Sequence, residues 1–170
     1  SSGSILDTTS GSMILGANKS KINSSSFSSV FGGYENKINS ANTYINWHTY
    51  KWGAAYGGIN TIVGGEGNTI SGSIERVCSI FGGTNNRITG REARDGTLTS
   101  LNSTIYNSTI VGGSVNEIVK ATYATIVGGK DNEISSSTTT TGEYNTIVGG
   151  YNNKIRESGN SKGIVILGME

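Results

Sequence analysis

The densest run of side chains able to bind or react lies between Asn39 and Ile59. It holds both tryptophans, Trp47 and Trp52, the only histidine, His48, and Tyr44, Tyr50 and Tyr56. If Thr43 to Trp52 is extended, alternation places Tyr44, Asn46, His48, Tyr50 and Trp52 on one face. Aromatic rings beside amide and imidazole groups suit sugars, whose CH faces lie on rings while their hydroxyls find polar partners. Tyr44, Asn46, Trp47, His48, Tyr50 and Trp52 are therefore the candidate ligand-binding residues, for a cell-surface glycan or protein receptor. The competing reading is that these rings seal the segment onto the rest of the fold or against a neighbouring subunit.

Hydrolytic chemistry is poorly supplied. A catalytic triad would have to use His48, and Cys78 has no recognisable partner. By register Cys78 corresponds to Ser28, Asn60, Ser108, Ala124 and Asn145, which reads as a tolerated small residue. A carboxylate pair could be drawn from Glu92 and Asp95, or from Glu35 and another subunit, but no spacing requires it. Paired glycines recur along the chain, yet no helix or lysine-hydroxyl pair follows them to cradle a phosphate. Calcium-binding β-roll repeats need an aspartate in each turn, and only Asp131 stands in the corresponding turns. The chain is read as a non-enzyme with no catalytic residue, cofactor or metal, and glycan hydrolysis is the least favoured function.

The elements that must position the aromatic segment are set by a repeat. SVFGGYENKI from Ser29, TIVGGEGNTI from Thr61, SIFGGTNNRI from Ser79, TIVGGSVNEI from Thr109, TIVGGKDNEI from Thr125 and TIVGGYNNKI from Thr146 follow a looser copy, MILGANKSKI, from Met13. Ile166, Leu167 and Gly168 read as an eighth copy cut short, so the segment is expected to be a fragment of a longer chain. The unit is about 16 residues, rich in β-branched residues, Gly, Ser, Thr and Asn, a vocabulary of strands and turns. Such a unit holds two short strands and two turns, one coil of a parallel β-solenoid. The expected fold is a single all-β domain over residues 1–170, a parallel β-roll of about eight two-strand coils.

Neighbouring strand residues point to opposite faces, so the paired apolar residues cannot both enter one core. This applies to Val30 and Phe31, Ile62 and Val63, Ile80 and Phe81, Ile110 and Val111, Ile126 and Val127, and Ile147 and Val148. One of each pair fills the coil and the other faces out, building an apolar stripe that soluble monomers rarely leave uncovered. The simplest cover is a copy of the chain in a symmetric oligomer. The second strand, with Ile38, Ile70, Ile88, Ile118, Ile134 and Ile155 between polar neighbours, reads as one face buried and one wet. Gly at the strand end permits a positive φ. Asn36, Asn68, Asn86, Asn116, Asn132 and Asn153 are of the type that tolerates left-handed geometry or stacks into a side-chain ladder.

Formal net charge is +1 with 15% charged residues, and the basic residues are dispersed, which excludes a nucleic-acid footprint. No apolar run reaches membrane length, so no membrane insertion by this segment is expected. The recurring TIVGGxxNxI phrase resembles the head repeats of trimeric autotransporter adhesins, the YadA-like β-roll, and similar repeats of trimeric bacterial and phage fibres. The resemblance covers most of residues 12–168. It implies a parallel homotrimer of left-handed rolls, located outside the cell on a cell surface or virion fibre, and it carries over no ligand residue.

Three breaks interrupt the repeat: 39–59, 89–104 and 135–145. A hidden coil in the first would place Asn46 and Trp47 in the doubly buried strand, and one in the second would place Arg94 and Asp95 there, at large desolvation cost. Both are therefore read as loops leaving the solenoid. The alternating charges of Arg91, Glu92, Arg94 and Asp95 suggest a solvated surface, and the Ser/Thr run of the third an exposed loop. Two functions follow: attachment through the aromatic loop, or a fibre spacer without a ligand of its own.

Overall fold

A computed structural model of the chain describes residues 3–7, 11–23, 27–40, 60–72, 75–89, 105–121, 123–136, 144–157 and 163–168. Two eight-stranded sheets, both all-parallel, carry the fold. The first is built from the apolar triplets Met13–Leu15, Ser29–Phe31, Thr61–Val63, Ser79–Phe81, Thr109–Val111, Thr125–Val127, Thr146–Val148 and Val165–Leu167. The second contains Ile5–Asp7, Lys21–Asn23, Lys37–Ser40, Thr69–Gly72, Arg87–Thr89, Glu117–Val119, Glu133–Ser136 and Lys154–Glu157. The chain alternates between these two sheets, with Glu75–Arg76 and Ile105–Tyr106 forming a two-stranded parallel sheet on the way from the second to the first. The result is a β-solenoid, and no helix occurs among the described residues.

Register is strict because only one residue of each triplet faces inward. Val30, Ile62, Ile80, Ile110, Ile126 and Ile147 line up across the first sheet. Ile22, Ile38, Ile70, Ile88, Ile118, Ile134 and Ile155 do so across the second. All of these are buried, and together they form the core. A coil of two three-residue strands has little else to bury, so stability comes from stacking many coils rather than from a thick interior.

Coils that bond to one another lie 16, 18 or 21 residues apart in most steps. At the two long steps, 32 and 30 residues, the strands are still direct neighbours: Val30 pairs with Ile62, and Ile80 with Ile110. No strand of the first sheet therefore lies between these neighbours, and Asn46, Trp47, Arg94 and Asp95 lie outside the described residues. The flanking strands run slightly past the points where the repeat breaks. Asn39 and Ser40 pair with Ser71 and Gly72, Thr89 pairs with Val119, and Ser135 and Ser136 pair with Arg156 and Glu157.

Glycine pairs make the corner between the sheets. Both members take positive φ in every full copy, for example 68° and 79° at Gly128 and Gly129. The following asparagine is not the left-handed residue. That conformation falls one position earlier, on Glu35, Gly67, Asn85, Val115, Asp131 and Asn152. The asparagines instead form a buried ladder. The Oδ1 atoms of Asn36, Asn68, Asn86, Asn116 and Asn132 accept the backbone N–H of the next asparagine at 3.0–3.1 Å. In the first full coil Ser20 holds this register, and its hydroxyl accepts the N–H of Asn36 at 3.2 Å.

The second sheet presents a polar outer face, with Lys37, Arg87, Lys154 and Arg156 exposed. Arg156 lies 2.9 Å from Glu133, and its hydrogen bond holds that carboxyl below the usual carboxylate range. The Ser135 hydroxyl and the charge of Lys154 act in the same direction, while partial burial opposes them. A depressed folded pKa means stability that is present above the unfolded value of about 4.3 and is lost as pH falls through the folded value. Glu133→Gln should therefore shrink the drop in urea midpoint between about pH 6 and about pH 3, by a small amount because the arginine is exposed.

Candidate functional site

The face that sets this solenoid apart is the outer surface of the first sheet. In each triplet the middle residue points in and the two flanking residues point out. The first outward row is mostly hydroxyl-bearing: Ser29, Thr61, Ser79, Thr109, Thr125 and Thr146. The second is apolar, and Val63, Phe81, Val111, Val127 and Val148 are 38–45% exposed, with Phe31 half-buried. Leu15 and Leu167 continue this row to the two ends of the sheet. No charged residue occurs in either row.

The paired apolar positions thus divide as alternation demands. Val30, Ile62, Ile80, Ile110, Ile126 and Ile147 are fully buried in the solenoid, and their partners face away from it. The six candidate ligand residues, Tyr44, Asn46, Trp47, His48, Tyr50 and Trp52, lie outside the described residues. Cys78 is buried in register with Ser28, Asn60, Ser108, Ala124 and Asn145, where a small side chain fits. Its backbone N–H donates to Asn60 Oδ1 at 3.1 Å.

A second exposed row runs beside the first sheet. Among the described residues, the chain turns through a positive φ two residues before a triplet at Gly11, Phe27, Val77, Asn107, Tyr123, Tyr144 and Gly163. Large side chains occupy four of these corners, and Phe27 and Tyr144 are 64% and 59% exposed. Tyr123 and Tyr144 stack on consecutive coils with centroids 5.0 Å apart and planes 12° from parallel. The only available signal was the alignment of Gly11 and Gly163 with these positions, and the bulky occupants obscure it.

No family model, curated protein or solved structure matches the chain. Its functional reading therefore rests on the surface itself. Among the described residues no group of three or more His, Cys, Asp or Glu side chains is placed to hold a metal. The outer face of the first sheet is an uncharged strip of Val, Phe, Ser and Thr. What it offers is area with regular spacing, which suits association.

Proposed function

We propose that the chain is the head segment of a homotrimeric fibre that attaches its bearer to a cell surface, acting outside the cell or on a virion. The observation that carries this reading is the outer face of the first sheet, which repeats an exposed Val or Phe on every coil from Val63 to Val148 without a charge. A soluble monomer would leave that strip in water, whereas copies of the chain arranged around an axis parallel to the solenoid cover it. The resemblance of TIVGGxxNxI to trimeric adhesin head repeats supports the same arrangement.

The attachment part of the proposal rests on 39–59. This segment runs from Lys37–Ser40 of the second sheet to Thr61–Val63 of the first, and Thr61–Val63 pairs directly with Ser29–Phe31 of the preceding coil, so its length is not needed to build a coil. It nonetheless carries both tryptophans and the only histidine. A glycan or protein receptor on the target cell is the partner proposed for it. The uniformity of the other coils favours a second reading, a spacer whose loops only stabilise the trimer.

The triple variant Trp47→Ala, Tyr50→Ala, Trp52→Ala separates the two readings in a cell-binding assay run alongside light scattering. Lost attachment with intact assembly is the expected result. Loss of assembly instead would assign these rings to packing and favour the spacer. Release of free sugar from the bound cells during the assay would contradict both readings and point to a hydrolase.

A further inference from the structure

The outer face of the first sheet is long but narrow. Eight strands at about 4.8 Å and three residues at about 3.3 Å each give roughly 40 by 10 Å, or about 400 Å². A specific, stable interface takes about 800 Å² from each partner. Packing this face on its twin across a two-fold axis would supply about half of that. A ring would instead let each copy bury a second strip in a second contact, and such a strip lies next to the face, in the corner row that precedes the triplets.

We propose that the corner row of Phe27, Val77, Tyr123 and Tyr144 is the second half of a heterologous self-contact. The corner of one copy packs against the Val/Phe row of the next, and three such contacts close a ring. This inference rests on the self-association reading above and names the surfaces that meet. The Val/Phe row places one residue on each coil and the corner row a large side chain on four of them, so parallel copies align at the strand spacing. None of the four corner residues is charged, and the same is true of the Val/Phe row. The turn itself does not demand bulk, because Gly11, Gly163 and Asn107 make it at φ 66°, 72° and 49°. Phe27, Val77, Tyr123 and Tyr144 adopt the same region at φ 53–63°, a conformation that disfavours large side chains and β-branched valine most of all. A two-fold pair joined through the sheet faces would leave this row in water, whereas a heterologous ring buries both strips of every copy.

Sedimentation velocity on three proteins tests the proposal: wild type, a corner variant (Tyr123→Lys with Tyr144→Lys) and a row variant (Val127→Lys with Val148→Lys). Wild type is expected to run as a trimer, and each variant is expected to lose the trimer boundary while keeping the wild-type circular dichroism spectrum. An equimolar mixture of the two variants should form dimers, because each supplies the half the other lacks. Tyr123→Gly with Tyr144→Gly relieves the positive-φ strain, so the fold is preserved even if the lysines disturb it, and the trimer should again be lost. A corner variant that assembles like wild type, or a mixture that stays monomeric, overturns the heterologous pairing while leaving self-association standing. A wild-type dimer overturns the ring, and a wild-type monomer overturns self-association as well.

Discussion

Gly129→Ala is expected to destabilise the solenoid by more than about 4 kcal/mol, while Gly128→Ala, one residue earlier, costs about 1–2 kcal/mol. Both glycines have positive φ, at 68° and 79°, so the intrinsic backbone penalty is similar. The difference is in what a methyl group would meet. At Gly128 nothing lies within 4 Å of the added carbon. At Gly129 it would collide with the carbonyl oxygen of Gly150 and the Asn132 amide nitrogen, and sit 2.9 Å from the carbonyl carbon of Gly149. That obstruction is the backbone of the next coil, which cannot rotate aside as a side chain would. Relief requires separating the coils, which breaks the 3.0 Å bond from Lys130 N–H to Gly150 C=O and disturbs the asparagine ladder. The same asymmetry recurs at Gly64 and Gly65, and at Gly82 and Gly83. Urea unfolding of the two single variants measures it, and equal losses would show that turn conformation alone explains the glycine pair.

Asn116→Ala should cost about 3 kcal/mol, well above a typical surface change. Its Oδ1 accepts the buried backbone N–H of Asn132 at 3.1 Å, and its Nδ2 donates to the Gly129 carbonyl at 3.1 Å. Alanine leaves the Asn132 N–H without its acceptor inside the solenoid, at about 1–3 kcal/mol, and takes one of two donors from the Gly129 carbonyl, which keeps the Ser114 N–H. Asn116→Ser should lose less, because Ser20 already shows that a hydroxyl at this register can accept the next N–H. Asn116→Asp should be worse than serine, since it keeps the acceptor, loses the donor and places a charge in a buried row. Because each coil touches only its neighbours, the damage should appear partly as a reduced denaturant slope, with the two flanks unfolding less cooperatively. An order of stability other than wild type, then Ser, then Ala or Asp would contradict the ladder as the role of these residues.

Much of the scaffold was legible in the sequence because its determinants are side-chain types. A β-branched triplet with one isoleucine in register every 16 to 21 residues leaves few alternatives to stacked parallel strands. The long steps were readable too: Trp47 or Asp95 could not replace an inward isoleucine, and the strands on either side do pair directly. The role of the asparagines was not separable from sequence, since left-handed turns and side-chain ladders both select Asn. The left-handed position proved to be the residue before it, where Gly67, Val115 and Asp131 share no chemical type. Nor did the sequence mark the residue after the glycine pair, from Tyr34 to Tyr151, which bridges to its counterpart through backbone atoms and so tolerates any side chain. The aromatic corner escaped for a related reason: Phe27, Val77, Tyr123 and Tyr144 occupy a turn whose usual signal is Gly or Asn.

The central claim is that the doubled apolar position of the repeat means partner chains. Multi-angle light scattering on the 170-residue chain at micromolar concentration tests it most directly. The predicted mass is three times the 17.7 kDa of one chain. A stable 17.7 kDa species with the outer Val/Phe row intact would contradict the claim.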